Sequence, residues 1–270
     1  MSQILRYETG SVVPNILMTD TLAAWLIPSD TDRAVVLLHG IHSFGWDGAA
    51  PDITRALVRA GFHVLILDLR GHGGSGSTHL GLGWHERRDV RAAVDLLLAR
   101  GFGPGKIGLH GTSYGAATAL LSAAVIREIG AVVADSAFAD TRELMTVEIE
   151  KMTGVPAFLV MSLQPGMSIL SRLIYGLDLA SITPLRAVPA IAPRPILFIH
   201  GGEDNVISPK HSRRLMDQSN NPGNELWIIP GLRHTEAVHT PGDGCGPSEF
   251  SAMREVYLQR ITSFFHRTLR

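Results

Sequence analysis

The chain has a single cysteine, Cys245, among 270 residues. No intrachain disulfide is available to it, and no cysteine cluster that could hold zinc or an iron–sulfur centre. An excess of one charge is missing too. With 24 basic and 25 acidic residues the net charge is −1, which leaves no basic stripe for a nucleic acid backbone and no polybasic segment for anionic lipid. Lysine is scarce, with only Lys106, Lys151 and Lys210, so arginine carries most of the positive charge. The stretch from Met1 to Gly10 includes Arg6 and Glu8 and lacks the basic start and apolar core of a secretory signal. There is no internal repeat and no low-complexity tract. The most apolar late run, Val155 to Leu163, is too short to cross a bilayer, and Gln164-Pro165-Gly166 is expected to interrupt it. These absences predict a cytoplasmic protein with no nucleic acid partner, no stable membrane insertion, and a small or neutral ligand. They leave the oligomeric state open.

What is present is an alternation. Short apolar, β-branched runs recur at Ala34–Leu38, Phe62–Leu67, Lys106–His110, Ala131–Ala134, Pro195–His200 and Glu225–Ile229, with helical patterns between them. Strands that are apolar throughout are buried on both faces, which predicts an α/β fold with a mainly parallel sheet of about eight strands and helices on each side. Thr21–Ile27 is expected to add an antiparallel strand. Val90, Ala93, Val94, Leu97 and Leu98 recur at helical spacing before Gly101, as do Phe250, Met253, Val256, Tyr257, Ile261 and Phe264. With 45% hydrophobic residues, one large core is affordable, and residues 1–270 read as one domain. About fifty residues, 140–189, break the alternation after the sixth strand. This segment holds Met145, Met152, Phe158, Met161 and Met167 and reads as a helical cap, although ordinary helix packing on the sheet would give the same pattern.

Gly111-Thr112-Ser113-Tyr114-Gly115 lies between an apolar strand run and an alanine-rich helical run. A glycine on each side of the serine suits a sharp strand-to-helix turn that lifts the hydroxyl above the sheet. Such a hydroxyl needs a histidine base, itself oriented by a carboxylate, from loops at the same end of the sheet. Asp204 follows the strand run Pro195–His200, and His234 follows Glu225–Ile229. Asp135 is the alternative acid and His239 the alternative base. The turn His39-Gly40-Ile41-His42 follows Ala34–Leu38, so the N–H groups of Ile41 and Tyr114 are candidates for an oxyanion hole. Phe44 and Trp46, beside that turn, and Met145, Phe158 and Met161 of the cap are the candidate pocket walls.

Serine, then aspartate, then histidine is the chain order of the α/β-hydrolase superfamily, which the sequence resembles from about Thr21 to its end. The His39-Gly40 turn, Asp68-Leu69-Arg70-Gly71-His72-Gly73-Gly74-Ser75, the Ser113 segment, Phe198-Ile199-His200-Gly201-Gly202-Glu203-Asp204 and Gly231-Leu232-Arg233-His234 resemble its serine aminopeptidase-like branch, which contains many esterases. The resemblance implies hydrolysis through Ser113, Asp204 and His234 without a cofactor, with an ester as the expected substrate. A peptidase or thioesterase would use the same residues. A scaffold without catalysis is the rival from another class, and retention of all three residues counts against it. The Gly/Pro-rich stretch Thr240 to Pro247, just after His234, departs from the family's pattern.

Three other signals are weaker. Gly71-His72-Gly73-Gly74-Ser75-Gly76 fits a dinucleotide fingerprint, but the next helical pattern starts only near Trp84, too far to present its N-terminus to a pyrophosphate. His72, His79 and His85-Glu86 lack the His-Glu-x-x-His spacing of a zinc helix, and no metal is expected. Cys245 reads as a solvent-facing thiol.

Overall fold

A computed structural model describes residues 3–13, 16–41, 43–237 and 247–270, with side chains described for residues 22–41, 43–237 and 252–270. His42, His239 and Cys245 lie outside the described residues, as does most of the Gly/Pro-rich stretch. Eight strands form one sheet: β1 (Gln3–Val13), β2 (Ile16–Ile27), β3 (Ala34–Leu38), β4 (His63–Leu67), β5 (Ile107–Thr112), β6 (Ile129–Asp135), β7 (Ile196–Gly201) and β8 (Glu225–Ile229). Their order across the sheet is β1-β2-β4-β3-β5-β6-β7-β8. The β1–β2 and β2–β4 pairs are antiparallel, and the rest are parallel. The predicted mainly parallel sheet is therefore present, with one difference at its edge. The first antiparallel strand begins earlier than Thr21, and β1 pairs along its length. The alternating Leu5-Arg6-Tyr7-Glu8 stretch has edge-strand character rather than the continuous apolar run that marks the inner strands.

Continuous apolar runs serve two cores at once, because successive strand residues face opposite sides. Val36 and Leu38 of β3 pack with Leu65, Leu67, Leu109 and Val132 on one face, under α2 (Arg87–Ala99) and α3 (Tyr114–Ala123). Val35 and Leu37 pack with Val64, Ile66 and Val133 on the other, where α1 (Ala50–Arg59) and α8 (Pro247–Thr268) supply Leu57, Ile261 and Phe264. All five residues of β3 are buried. All ten residues of α3 are buried as well, and its sequence Tyr-Gly-Ala-Ala-Thr-Ala-Leu-Leu-Ser-Ala lets it lie close on the sheet.

Between β6 and β7 come α4 (Thr141–Thr153), α5 (Ala157–Tyr175), the short α6 (Pro184–Ala187) and a 3₁₀ turn at Val188–Ile191, and α7 (Lys210–Gln218) follows β7. Asp140 caps α4 by accepting a hydrogen bond from the Arg142 N–H at 2.8 Å. One expectation fails here. Gln164-Pro165-Gly166 does not end a run, because α5 continues through it for 19 residues. Proline removes one backbone donor while its fixed φ suits a helix. The Gln164 side chain docks this turn on α4, donating to Arg142 O at 3.1 Å and Thr146 Oγ1 at 2.7 Å.

Candidate active site

β5 ends at Thr112 and α3 begins at Tyr114, so Ser113 alone makes the turn. Its φ of 52° and ψ of −114° are a sparsely populated combination for a side chain-bearing residue, at a cost of about 1–3 kcal/mol. The neighbouring glycines make this turn possible. A methyl group on Gly111 would overlap the backbone of Gly115, and one on Gly115 would overlap the carbonyls of Leu38 and His39. The Ser113 N–H donates to Asp135 O at 2.7 Å, tying the turn to the end of β6.

The loops after β7 and β8 are joined by backbone bonds, from Gly202 N–H to Ile229 O at 2.7 Å and from Glu203 N–H to Leu232 O at 2.9 Å. Gly201 permits this approach, since a Cβ there would overlap the Leu232 and Arg233 carbonyls. Asp204 and His234 are thereby held together. His234 Nδ1 lies 2.7 Å from Asp204 Oδ2, and His234 Nε2 lies 2.9 Å from Ser113 Oγ. An ionised carboxylate accepts only, so Nδ1 carries the proton and Nε2 is left as the acceptor for the serine hydroxyl.

The Asp204 side chain has no solvent exposure. Burial opposes its ionisation, but the neighbouring His200 and His234 imidazoles and the Ile207 N–H outweigh it, holding the carboxyl well below the usual carboxylate range. The Val206 and Ile207 N–H groups donate to its Oδ1 at 2.9 and 2.8 Å. His200 Nε2 lies 3.0 Å from Asp204 Oδ2 and 2.7 Å from Ile207 O, while its Nδ1 faces Ser212 Oγ at 2.7 Å. Sequence reasoning gave His200 no role beyond a family motif. Its spacing of four residues before Asp204 was the available signal.

Asp135, the alternative acid, is engaged elsewhere. It accepts from Tyr257 Oη and Ser136 Oγ, both at 2.9 Å, and Tyr257 Oη in turn lies 2.9 Å from His110 Nε2. Burial pushes the Asp135 carboxyl up and the His110 imidazole down to about 4.

Gly40 lies beside the serine, for a Cβ added to it would sit 3.7 Å from Ser113 Cβ. His39, read from sequence as structural, orients this turn. Its Nε2 accepts from the Leu69 N–H at 3.1 Å, so its protonated Nδ1 donates to Gly40 O at 2.7 Å. Burial lowers the pKa of this imidazole and so favours its neutral form. Because the peptide is planar and trans, holding the Gly40 carbonyl on one side directs the Ile41 N–H to the other. Tyr114, as the first residue of α3, has an N–H with no partner inside the helix.

A cavity of about 400 Å³ opens at Ser113 and His234, bounded by Leu37, Ile41, Gly45, Ala49, Ile53 and Val206 among others. The expected pocket walls do not border it. Asp68 accepts from the Gly45 N–H at 2.6 Å, and the Trp46 ring packs edge-on against Trp25 at 6.4 Å, leaving Phe44 in solvent. Met145 packs against the cluster of Leu121, Leu177, Leu179 and Ile182, and Phe158 and Met161 are exposed on α5. Of the loop histidines, His72 packs on His39, while His79 and His85 both contact Tyr175. Among the described residues no three His, Cys, Asp or Glu side chains are grouped to hold a metal ion.

A sequence model of the α/β-hydrolase family matches residues 35–244. The chain belongs to that family. It is thus a hydrolase, built on the sheet order and loop placement described above. Among curated proteins it is similar to the uncharacterised YqkD of Bacillus subtilis (strain 168), 29% identical over 229 residues, covering 84% of this chain and 73% of that one. Among solved structures, the Pyrococcus furiosus esterase Pf2001 superposes with a TM-score of 0.73 at 22% identity, covering all of this α/β hydrolase and 94% of the esterase. The α/β hydrolase GrgF of Penicillium sp. sh18 gives 0.72 at 19% identity, over 100% of this chain and 99% of that one. At such identities the two structures speak for the fold.

Proposed function

We propose that this α/β hydrolase is a serine esterase that cleaves carboxylic esters of small to medium apolar acyl groups through an acyl-enzyme. The observation that carries the reading is the pair of hydrogen bonds running from Ser113 through His234 to Asp204. Likeness in fold to an esterase supports it. Ser113 Oγ attacks the ester carbonyl as its proton passes to His234 Nε2, and the carbonyl electron pair becomes an oxyanion between the Ile41 and Tyr114 N–H groups. Collapse of this intermediate breaks the bond to the alcohol oxygen, which takes the proton from His234. Water then attacks the acyl-serine, gives its proton to His234, and the returning proton frees Ser113 as the carboxylic acid leaves.

Asp204 carries its negative charge throughout and stabilises the imidazolium that forms in each half-reaction. His39 acts one step removed, by orienting the Gly40–Ile41 peptide. Leu37, Ala49 and Ile53 offer an apolar wall to the acyl group, and the Asp47 carboxylate lining the same cavity disfavours acyl chains that end in a carboxylate. The 140–189 segment serves in this reading as a cap that borders the mouth, since Lys151 Nζ of α4 donates to Asn205 O, beside the cavity residue Val206, at 3.0 Å.

The test is hydrolysis of p-nitrophenyl esters from acetyl to palmitoyl by wild type and by Ser113→Ala. Turnover by wild type, greatest for short chains, and a loss of at least about 10⁴-fold in the variant is the expected result. Equal turnover by both proteins would exclude Ser113 as nucleophile. Preferential cleavage of acyl-CoA thioesters or aminoacyl anilides in a parallel panel would replace the ester reading by a thioesterase or peptidase one.

A further inference from the structure

Helix α5 turns its polarity the wrong way for a monomer. Its inward side, toward α4, carries the buried Val160 and the docked Gln164, and the N–H of Ala157 donates to Glu150 Oε1 at 3.1 Å. Its outward side carries Phe158, Leu159, Ile169 and Leu173, with Leu173 78% and Phe158 69% exposed. Val160 is the one buried residue among nineteen. Counted over its outward side and both flanks, the exposed large side chains of α5 present on the order of 1,000 Å² of apolar surface.

The chemistry of this face selects its occupant. A helix that lies in a lipid interface pairs its apolar side with a strongly polar, lysine- and arginine-rich one. Here α5 has one charged residue, Arg172, and α4 and α5 together balance Arg142, Lys151 and Arg172 against Glu143, Glu148 and Glu150, so anionic lipid gains nothing. By length, about 28 Å, α5 could cross a bilayer. Both its ends return to one body, however: α4 leads back to β6, and Leu177, Leu179 and Ile182 are buried against Leu121 of α3.

A second copy fits better. Outward side and flanks together reach what one partner contributes to a stable protein–protein interface, about 800 Å², and the core of a homodimer interface is apolar in the same way. At helical spacing Ser162 and Gly166 fall in the middle of the outward side, flanked by Phe158, Ile169 and Leu173. Glycine inside a helix costs roughly 0.5–1 kcal/mol relative to alanine, and none of the described residues requires it at Gly166, where an added Cβ would meet open space. Close approach of another helix would require it.

We propose that α5 is a homodimer interface, in which the α5 helices of two copies pack against each other about a two-fold axis near Ser162 and Gly166. Each copy covers the other's outward apolar side, and residue i meets residue j as j meets i.

Sedimentation velocity from 1 to 100 μM tests this with three proteins. Wild type is expected at twice its chain mass of 29.2 kDa, and the Ile169→Glu/Leu173→Glu double variant at the chain mass with an unchanged circular dichroism spectrum. Gly166→Leu keeps the proposal falsifiable should the charged variant misfold. Leucine raises helix propensity and has room in the single chain, yet it blocks close approach, so a dimer dissociation constant at least tenfold weaker is expected. Wild type that is monomeric throughout, or a dimer untouched by both variants, overturns the proposal. Monomeric wild type that co-sediments with phosphatidylcholine/phosphatidylglycerol vesicles overturns it in favour of a lipid surface.

Discussion

His200 and His234 share one carboxylate, and this sharing sets what each contributes. His234 Nδ1 donates to Asp204 Oδ2 at 2.7 Å and His200 Nε2, bonded to Ile207 O, lies 3.0 Å from the same oxygen, while two backbone N–H groups occupy Oδ1. His200 touches neither Ser113 nor the cavity, so it is a positioning residue that keeps Asp204 aimed. His200→Ala is expected to lower kcat for ester hydrolysis by about 10–100-fold with little change in KM, the range typical of a lost orienting partner. His200→Gln, which keeps a donor, is expected to recover part of the loss. A change in KM alone would give His200 a binding role instead. Asp204 also links the site to acid stability. Its folded carboxyl is depressed below its unfolded value near 4, so its stabilisation is complete above that pH and fades as pH falls further. Urea unfolding midpoints from pH 7 to pH 2.5 are expected to drop more steeply for wild type below pH 4 than for Asp204→Asn.

At the scale of elements, the strand–turn–helix from β5 to α3 depends on close backbone approach more than on any side-chain bond. Gly115 sets α3 against the Leu38 and His39 carbonyls, and backbone atoms cannot swing aside as a flexible side chain would. Gly115→Ala is therefore expected to cost about 1–3 kcal/mol in urea unfolding. It should also reduce ester turnover sharply, because lifting α3 carries Ser113 away from His234 and the Tyr114 N–H away from the oxyanion. Stability equal to wild type would show that the helix can shift without penalty. The loops after β7 and β8 follow the same logic through Gly201. Helix α5 obeys another rule: Val160 and the docked Gln164 hold it on α4, and most of its large apolar side chains stay exposed.

For the whole molecule, Tyr257 is where the C-terminal helix meets the centre of the sheet. From α8 it bridges His110 of β5 and Asp135 of β6, contacts separated by 147 and 122 residues in the chain. Tyr257→Phe removes the Oη partner of the buried His110 Nε2 and of Asp135 Oδ2, and a loss of about 1–3 kcal/mol in global stability is expected by urea unfolding. Turnover at 25 °C should change little, since the loops carrying Asp204 and His234 are bonded to each other. An unchanged unfolding midpoint would mean that water satisfies both groups.

The parallel sheet, its two covering layers and the set Ser113, Asp204 and His234 are legible in the sequence because each rests on a pattern within a short window. A five-residue run such as Ala34–Leu38 shows that both faces are buried, and the paired glycines around Ser113 show a sharp turn. Placing Asp204 and His234 beyond strand ends then follows from the chain order. The walls of the cavity are not local in this sense. Phe44 and Trp46 adjoin the right turn, but the bond from Gly45 to Asp68 and the packing of Trp46 on Trp25 turn the large rings away. The roles of His39 and His200, and the engagement of Asp135 with Tyr257, depend on which strands become neighbours. The continuity of α5 through Pro165 depends on Gln164 finding α4. Sequence alone thus determined the repertoire of elements and reactive groups, through backbone preference and hydrophobic period. Tertiary structure decided which side chains meet, because a hydrogen bond depends on ångström-scale placement of groups far apart in the chain.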